Sequence, residues 1–182
     1  WTDHDLPERW QIRYKDFLTF NVKPMNFKHT GVFPEQAANW DFIREKVAGA
    51  AKDRPVRVLN LFAYTGGATL ACAAAGAHVT HVDAAKGMVL WAKENRELTG
   101  IPEDSFRFIV EDAKAFVRRE IRRGNKYDGL IMDPPSYGKG PTGEVWKIEE
   151  NIDDFVNLVS GVLSDHPLFF LLNSYTTGLS AS

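Results

Sequence analysis

The sequence predicts an α/β fold in which a mostly parallel sheet carries helices on both faces. Its 182 residues suffice for one domain with a single continuous core. From residue 55 onward, short apolar runs alternate with helical patterns, and the connections between them are short. Apolar strands separated by helices are typical of a parallel sheet that is covered on both sides. Right-handed crossovers then place the carboxyl ends of the strands along one edge, where ligands of such sheets bind.

Each predicted element follows from its local pattern. Over residues 10–22 apolar and mostly polar residues alternate, which predicts two short strands or a hairpin. A loop over 24–33 leads to Pro34, which suits the first turn of an amphipathic helix that ends near Lys52. The five strands of the alternating part are predicted at about 57–62, 77–82, 106–110, 127–132 and 168–172. The helices between them are predicted at about 68–75, 86–98, 113–123 and 152–163.

Two of these helices carry a face that is expected to pack on the sheet, because apolar residues recur at helical spacing. The helix at 86–98 has one side formed by Met88, Trp91, Ala92 and Asn95. The helix at 113–123 is expected to turn Phe116, Val117 and Ile121 inward.

The chain is expected to have one core and a small N-terminal addition. Residues 1–33 are predicted as a short β extension with a loop, and residues 34–182 as the core. The chain starts without methionine and ends at 179–182 just as a new segment begins, so we expect a fragment whose sheet lacks its C-terminal strands. Such a sheet would expose an edge unless further residues or another chain cover it.

Composition and charge exclude several classes of protein. The 44% apolar and 25% charged content is typical of a soluble globular protein. No apolar run reaches the ~20 residues that span a bilayer, and the N-terminus has no signal-peptide layout, so we expect a cytoplasmic protein without membrane contact. The single Cys72 allows no intramolecular disulfide. The five histidines form no zinc-type cluster, so no metal site is expected.

Small and acidic residues stand where the predicted strands stop. The strand at 57–62 runs into a turn that contains Gly66 and Gly67, where missing β-carbons let a ligand approach the backbone closely. The next three strands end at Asp83, Asp112 and Asp133. Each aspartate alone could cap a helix, but three along one edge favour a shared site. Asp83 follows the glycine pair at about the distance at which dinucleotide-type sites place an acid on the ribose hydroxyls.

The glycine turn narrows the class of ligand. A dinucleotide-binding turn uses Gly-x-Gly-x-x-Gly to hold a pyrophosphate, and the turn over 66–70 lacks that spacing. The Gly-Lys-Ser/Thr of a phosphate-binding loop is also absent. An acidic edge without a phosphate cradle favours an adenosine ligand that carries a positive sulfonium and no phosphate.

In their order, these motifs resemble those of the Rossmann-like class I S-adenosylmethionine-dependent methyltransferases. The segments that carry the resemblance are 60–67, 82–83, 111–113 and 133–137. More narrowly, 29–36 and 138–146 resemble the branch that contains the bacterial large-subunit ribosomal RNA methyltransferases of the I and K types. The resemblance covers about residues 24 to 178. It implies S-adenosylmethionine as the cofactor and RNA, ribosomal RNA above all, as the leading acceptor.

The resemblance also implies a role for each matching residue. The cofactor contacts that it implies are, in chain order, Thr30, Gln36, Phe62, Tyr64, Gly66, Asp83, Asp112 and Ala113. Among these, Asp83 would bind the ribose hydroxyls, while Asp112 with Ala113 would meet the adenine amine. On the acceptor side it implies Asp133, Pro134 and Tyr137, the last as a stacking surface.

The acceptor atom is expected to be nitrogen or oxygen. Methylation of pyrimidine C5 needs a cysteine nucleophile, and relatives with that activity carry it after the fourth or fifth strand. Here those positions read 133–136 and 173–176 without cysteine, and Cys72 is predicted to be a packed thiol. Amine-methylating relatives have an aromatic residue directly after Asp-Pro-Pro, whereas Ser136 intervenes here before Tyr137.

Two surface features and the substrate class stay open at this point. The cations at 118–126 form either a solvated helix face, which is favoured, or a phosphate-contacting patch. The loop at 138–147 is either a lid over the acceptor or a packed loop around Trp146. The net charge of −2 is not that of a domain that grips RNA unaided. The leading interpretation is an RNA methyltransferase core that relies on a further N-terminal module to bind RNA. The alternatives are a small-molecule or protein methyltransferase and a non-catalytic or nicotinamide-binding domain.

Overall fold

The computed structural model describes residues 6–25, 29–139 and 145–175. The strands are β1 Trp10–Tyr14, β2 Leu18–Val22, β3 Arg57–Leu61, β4 His78–Asp83, β5 Phe106–Val110, β6 Gly129–Met132, β7 Tyr137–Lys139, β8 Val145–Lys147 and β9 Phe169–Leu172. The helices are α1 Ala37–Ala50, α2 Gly67–Ala74, α3 Lys86–Thr99, α4 Ala113–Arg122 and α5 Ile148–Ser160. Single 3₁₀ turns lie at Pro34–Gln36 and Glu103–Ser105.

Five parallel strands form the central sheet in the order β5-β4-β3-β6-β9, which confirms the predicted parallel α/β sheet. Successive side chains of a strand point to opposite faces, so β3 contributes to two cores. Val58 packs in the core with α1 and α2, whereas Leu59 and Leu61 pack in the core with α4 and α5. β6 is buried along its whole length because helices cover both of its faces.

The N-terminal strands form an antiparallel hairpin, which resolves the choice between two separate strands and a hairpin. Trp10 pairs with Val22, and Tyr14 pairs with Leu18 across the turn. The alternating pattern of β2 turns Leu18, Phe20 and Val22 into the core that includes α1 and α2. The hairpin is therefore part of the same packed unit as the sheet.

Some packing expectations are wrong in detail. Ile121 was expected to face the core, but it is 39% exposed, and the buried position on that side of α4 belongs to Glu120. This carboxylate is tolerated inside because it accepts hydrogen bonds from the Tyr127 hydroxyl at 2.7 Å and from the Asn125 amide at 2.8 Å. On α3, Met88 is only partly buried, and the neighbouring Val89 fills the core position instead.

Within the described ranges, no helix is long and apolar enough to cross a bilayer. In the same ranges, no group of three or more histidine, cysteine, aspartate or glutamate side chains is placed to hold a metal ion.

Gly129 sets the spacing between β6 and the outermost strand β9. Its partner in the register is Phe169, and a β-carbon on Gly129 would lie 2.5 Å from that ring. We expect Gly129→Ala to destabilise the protein by about 1–3 kcal/mol because a contact this short forces the buried Phe169 ring to shift. Gly49→Ala is the matched control, since nothing lies within 4 Å of that exposed helical position.

Urea unfolding measures both changes. The control should stabilise the protein by up to about 1 kcal/mol, because alanine favours a helix over glycine. Equal stability of Gly129→Ala and the wild-type protein would show that the strand spacing does not depend on the missing side chain.

Candidate functional site

The carboxyl ends of the five parallel strands share one edge and present polar groups there in a fixed order. Asp112 follows β5, Asp83 ends β4, and a turn that starts at Phe62 follows β3. Asp133 follows β6, and Asn173 follows β9. The predicted aspartates are therefore placed along one edge of the sheet, on the two sides of the turn after β3.

The turn after β3 is held in a conformation that its side chains disfavour. Phe62 and Tyr64 have φ values of 56° and 51°, in the left-handed region, and Gly66 has φ 93°. Such a conformation costs a non-glycine residue about 1–3 kcal/mol and persists only where neighbouring groups enforce it. The Ala63 amide donates to the carbonyl oxygen of Val82 at 3.1 Å and so attaches the turn to β4. Strain of this kind is concentrated at ligand sites, and no pattern in the sequence predicted it at Phe62 and Tyr64.

Asp83 is the second group that enforces this turn. Its Oδ2 accepts the Tyr64 amide at 2.9 Å, and its Oδ1 accepts the Ala85 amide at 2.8 Å. An ionised carboxylate offers about four lone-pair sites, so two acceptors remain for a diol. Asp112 instead caps α4 by accepting the Ala115 amide at 2.8 Å. The helix-cap interpretation thus applies to Asp112, and one of its oxygens remains for a ligand.

A cleft with a cavity volume of about 60 Å³ opens beside the turn. Its lining comes from the turn, from the start of α1 and from the ends of β6 and β9. The lining residues are Val32, Phe33, Gln36, Trp40, Asn60, Phe62, Ala63, Tyr64, Thr65, Gly67, Ala68, Ile131, Asp133 and Asn173.

The cleft contains part of the predicted set. Gln36, Phe62, Tyr64 and Asp133 line it. The predicted residues outside its lining are Thr30, Gly66, Asp83, Asp112, Ala113, Pro134 and Tyr137. Of these, Asp83 is joined to the lining through its hydrogen bond with the Tyr64 amide.

Asp133 is the carboxylate that lines the cleft. Burial raises its pKa to about 6, and the like charge of Glu35 acts in the same direction. A carboxyl group with this pKa exchanges its proton near neutral pH, as a general base requires. Glu35 lies in the 3₁₀ turn before α1 and was not among the site residues predicted from the sequence.

A group of side-chain amides closes one wall of the cleft. Gln36 Oε1 accepts from Asn39 at 2.7 Å and from Asn173 at 3.0 Å. Gln36 Nε2 donates to the Tyr175 hydroxyl at 2.6 Å. The sequence pointed only to Gln36. Asn173 could have been found, because it ends a strand at the same edge as the aspartates, whereas Asn39 lies inside a helix with no distinguishing pattern.

Aromatic rings stand beside this wall. Phe33 lies with its ring centre 5.4 Å from that of Tyr64 and 6.4 Å from that of Tyr175. Tyr175 and the predicted stacking residue Tyr137 are more than half exposed, at 56% and 57%. Of the two, Tyr175 is joined to the lining residues Gln36 and Phe33, and its exposed ring suits a planar ligand that stacks on it.

Trp146 fixes the segment that carries Asp133. Its ring packs against Phe62 at 5.9 Å and Phe155 at 5.6 Å, and its indole N–H donates to the Pro135 carbonyl at 2.6 Å. β7 and β8 pair on either side of the predicted lid loop, whose residues 140–144 lie outside the described part of the chain. In the described part, Trp146 supports the packed-loop interpretation.

The basic cluster on and after α4 is partly neutralised within the chain. Arg119 pairs with Glu111 at 2.6 Å, and Arg123 lies 3.4 Å from Glu120. Lys126 donates to the carbonyl oxygen of Gly161 at 2.9 Å. These bonds support the solvated helix face that the sequence favoured over a phosphate patch.

The charge of the cleft fits a cationic adenosine ligand. No lysine or arginine is found among the described residues that line it, so a phosphate would have no counter-charge there. Asp133 lines the cleft and Asp83 lies behind the turn, and both favour a positive ligand. Gly66 and Gly67 are required here by packing within the protein: a β-carbon would lie 3.1 Å from Ala92 at Gly66 and 2.8 Å from the Trp40 ring at Gly67. The expected close approach of a ligand to these glycines is therefore not what their missing side chains provide.

Comparisons with known proteins agree with this geometry. The model of a family described as S-adenosylmethionine-dependent methyltransferase matches residues 1–152. Ribosomal RNA large subunit methyltransferase K/L of Magnetococcus marinus is 32% identical over 163 residues, which is 86% of this chain and 21% of the relative. The corresponding protein of Shewanella baltica is 30% identical over 79% of this chain and 19% of its own length.

A solved structure extends the likeness to three dimensions. The S-adenosylmethionine-dependent methyltransferase from Agrobacterium tumefaciens superposes with a TM-score of 0.90 at 42% identity. The match covers 97% of this chain and 56% of that protein. This chain thus spans about a fifth of the length of the two ribosomal RNA methyltransferases and just over half of the length of the Agrobacterium protein.

Two aspartates at opposite ends of β6 should respond oppositely to the same substitution. The raised pKa of Asp133 means that its ionised form destabilises the fold above about pH 6. We expect Asp133→Asn to stabilise the protein by about 1–3 kcal/mol at about pH 8, with a gain that shrinks as the pH falls from about 6 towards 4.

Asp128→Asn is the control. Burial acts to raise the pKa of Asp128, but bonds from the Arg57 amide and the Arg54 guanidinium outweigh it and hold that pKa below its ordinary value. Its ionised form therefore stabilises the fold, so this variant should be destabilised at about pH 8 and less so as the pH falls below about 4. Thermal melting across the pH range measures both variants. A loss of stability in Asp133→Asn at high pH would contradict the assigned role of burial.

Proposed function

This chain belongs to the S-adenosylmethionine-dependent methyltransferase family, and we propose that it methylates a nitrogen or oxygen atom of RNA, with ribosomal RNA as the leading acceptor. The observation that carries the proposal is the cleft at the strand ends, which joins a carboxyl group of near-neutral pKa to exposed aromatic rings. A ribosomal RNA acceptor would place the protein in the cytoplasm. Residues 34–182 would form the catalytic core and residues 1–33 its extension.

We assign the cofactor to the side of the cleft formed by the turn after β3. When bound, S-adenosylmethionine supplies a methyl group activated by a positively charged sulfur. Phe62, Tyr64 and Gly66 would border the methionine portion, and the free lone pairs of Asp83 would accept the ribose hydroxyls. Asp112 and Ala113, one strand farther out, would meet the adenine ring. Thr30 and Gln36 would cover this side from the N-terminal segment.

We assign the acceptor to the side that Asp133 borders. A nitrogen or oxygen that gains a methyl group also loses a proton, and the Asp133 carboxylate is ionised for the most part at neutral pH and free to take that proton. Pro134 limits the backbone next to it, and the bond from Trp146 to the Pro135 carbonyl holds this segment in place. Tyr137, in β7 four residues after Asp133, would offer its exposed ring to the acceptor.

The chemistry of the single cysteine supports nitrogen or oxygen over pyrimidine C5. Attack on a pyrimidine ring needs a reactive thiolate. Cys72 lies in α2 and is fully buried, and burial raises the pKa of its thiol far above the ordinary value. It therefore stays a neutral thiol inside the core, and the chain has no other cysteine.

A small-molecule or protein acceptor is the second candidate. It is favoured by the net charge of −2 and by the intramolecular partners of the cations after β5. An RNA acceptor predicts binding that weakens steeply with salt, because phosphate contacts release counterions. A small neutral acceptor predicts little dependence on salt.

The proposal is tested by incubating the purified protein with isotopically labelled S-adenosylmethionine and each acceptor class separately. Large-subunit ribosomal RNA, total protein and a metabolite extract are compared, and the digested RNA is analysed by mass spectrometry of nucleosides. We expect label in a nucleoside methylated on nitrogen or oxygen. Asp133→Asn should lower turnover at least about a hundredfold while it binds S-adenosylhomocysteine normally. Label in 5-methylcytosine or 5-methyluridine, or in protein alone, would reject the proposed acceptor.

The role of Asp112 is tested by a substitution that separates capping from ligand binding. Asparagine caps a helix as well as aspartate does, so Asp112→Asn should leave the stability unchanged. If the carboxylate also binds the adenine amine, we expect the affinity for S-adenosylhomocysteine to fall about three- to tenfold. Calorimetry measures the affinity. An unchanged affinity would show that Asp112 serves α4 alone.

A further inference from the structure

One face of α3 closes the outer edge of β2. Among the described strands β2 pairs with β1 alone, and side chains of the helix bond to its other backbone edge. The Trp91 indole N–H donates to the Asn21 carbonyl at 2.7 Å, and Asn95 Oδ1 accepts the Asn21 amide at 2.8 Å. One turn farther on, Thr99 Oγ1 accepts the Thr19 amide at 3.2 Å and donates to the Thr19 carbonyl at 3.0 Å. These helical positions recur every four residues and therefore share one face.

Asn95 differs from Trp91 and Thr99 because its side-chain amide also bonds outside β2. Its Nδ2 donates to the Thr65 carbonyl at 2.9 Å, within the turn after β3. The side chain is fully buried, and both ends of its amide are used by backbone groups. Asn95 thus joins the backbone of β2 to the backbone of the turn and is not accessible to a ligand.

The turn has a further connection to the N-terminal segment on the same side. The Thr65 hydroxyl donates to the Gly31 carbonyl, and the Trp91 ring occupies the space next to Gly31 where a β-carbon would stand. Asp83 binds the turn from β4 through the Tyr64 amide. The turn that contains the strained Phe62 and Tyr64 is therefore held at two neighbouring residues. Asp83 binds the amide of Tyr64, and Thr65 is bound through its carbonyl to Asn95 and through its hydroxyl to Gly31.

We propose that Asn95 is a positioning residue that couples the docking of the β1–β2 hairpin to the shape of the cofactor-binding turn. Its amide sets the position of the Thr65 carbonyl, and with it the conformation of the neighbouring Tyr64, which lines the cleft. The affinity for the cofactor then depends on a side chain that does not touch it. The proposal rests on the family's cofactor and not on the identity of the acceptor, so a failure of the RNA assay leaves it intact.

The first test compares Asn95→Ala with Thr99→Val by calorimetry with S-adenosylhomocysteine. Thr99→Val removes two bonds to β2 from the same helix face and has no bond to the turn. We expect Asn95→Ala to weaken the affinity about tenfold, because the Thr65 carbonyl loses its buried donor. Thr99→Val should stay within about twofold of the wild-type affinity. Equal affinities in the two variants would overturn the proposal.

Asn95→Asp gives a readout that a general loss of stability does not produce. Below its pKa the new carboxylic acid can donate to the Thr65 carbonyl, whereas above it the ionised group repels that oxygen. Relative to the wild-type protein, the affinity of this variant for S-adenosylhomocysteine should therefore fall as the pH rises between about 5 and 9. A constant ratio of the two affinities across this range would contradict the proposed bond.

A third measurement needs no substitution. Coupling is reciprocal, so cofactor binding must stabilise the hairpin contact as much as that contact favours cofactor binding. The backbone amide of Asn21 donates to Asn95, and that of Thr19 donates to Thr99. S-adenosylhomocysteine should slow hydrogen exchange of the Asn21 amide by about tenfold more than exchange of the Thr19 amide. Equal slowing of the two amides would overturn the proposal even if the variants fail to fold.

Discussion

The site depends on a backbone turn whose own residues disfavour its conformation. Phe62 and Tyr64 occupy the left-handed region, and the free energy that this requires is offset by groups from β4 and α3 that bind the turn. A turn held in this way keeps its amides and carbonyls in place before any ligand arrives. The rest of the site, from the cleft to the edge of the sheet, is arranged around that fixed segment.

Parallel pairing explains why residues from several strands lie next to the same turn. The register of β3 with β4 and β6 brings the ends of three neighbouring strands to the same level. Asp83 can therefore bind the turn from one side, while Asp133 borders the cleft on the other. The two carboxylates, on either side of β3, acquire different properties in this way. Asp83 is bound by backbone amides, whereas Asp133 is partly buried and its pKa is raised to about 6.

The parts of the structure that could be predicted from the sequence are those encoded by local periodicity. The strand ends at Asp83, Asp112 and Asp133 follow from apolar runs and the turns after them, and so does the parallel sheet. The parts that could not be predicted depend on contacts between distant residues. Asn95 binds Asn21 across 74 positions, and Asn173 binds Gln36 across 137. Glu120 was missed on α4 because its burial depends on partners outside its own helix, such as Arg107 and Tyr127.

The edge of β2 is closed to pairing with a strand of another molecule. A strand with a free backbone edge can pair with the same strand of another molecule, which is a common route to aggregates. Here the hydrogen-bonding groups of Thr19 and Asn21 are already occupied by side chains of α3. Those side chains form no ladder that an incoming strand could extend. On this side the hairpin therefore ends at β2, and the face of α3 lies where a third strand would otherwise pair.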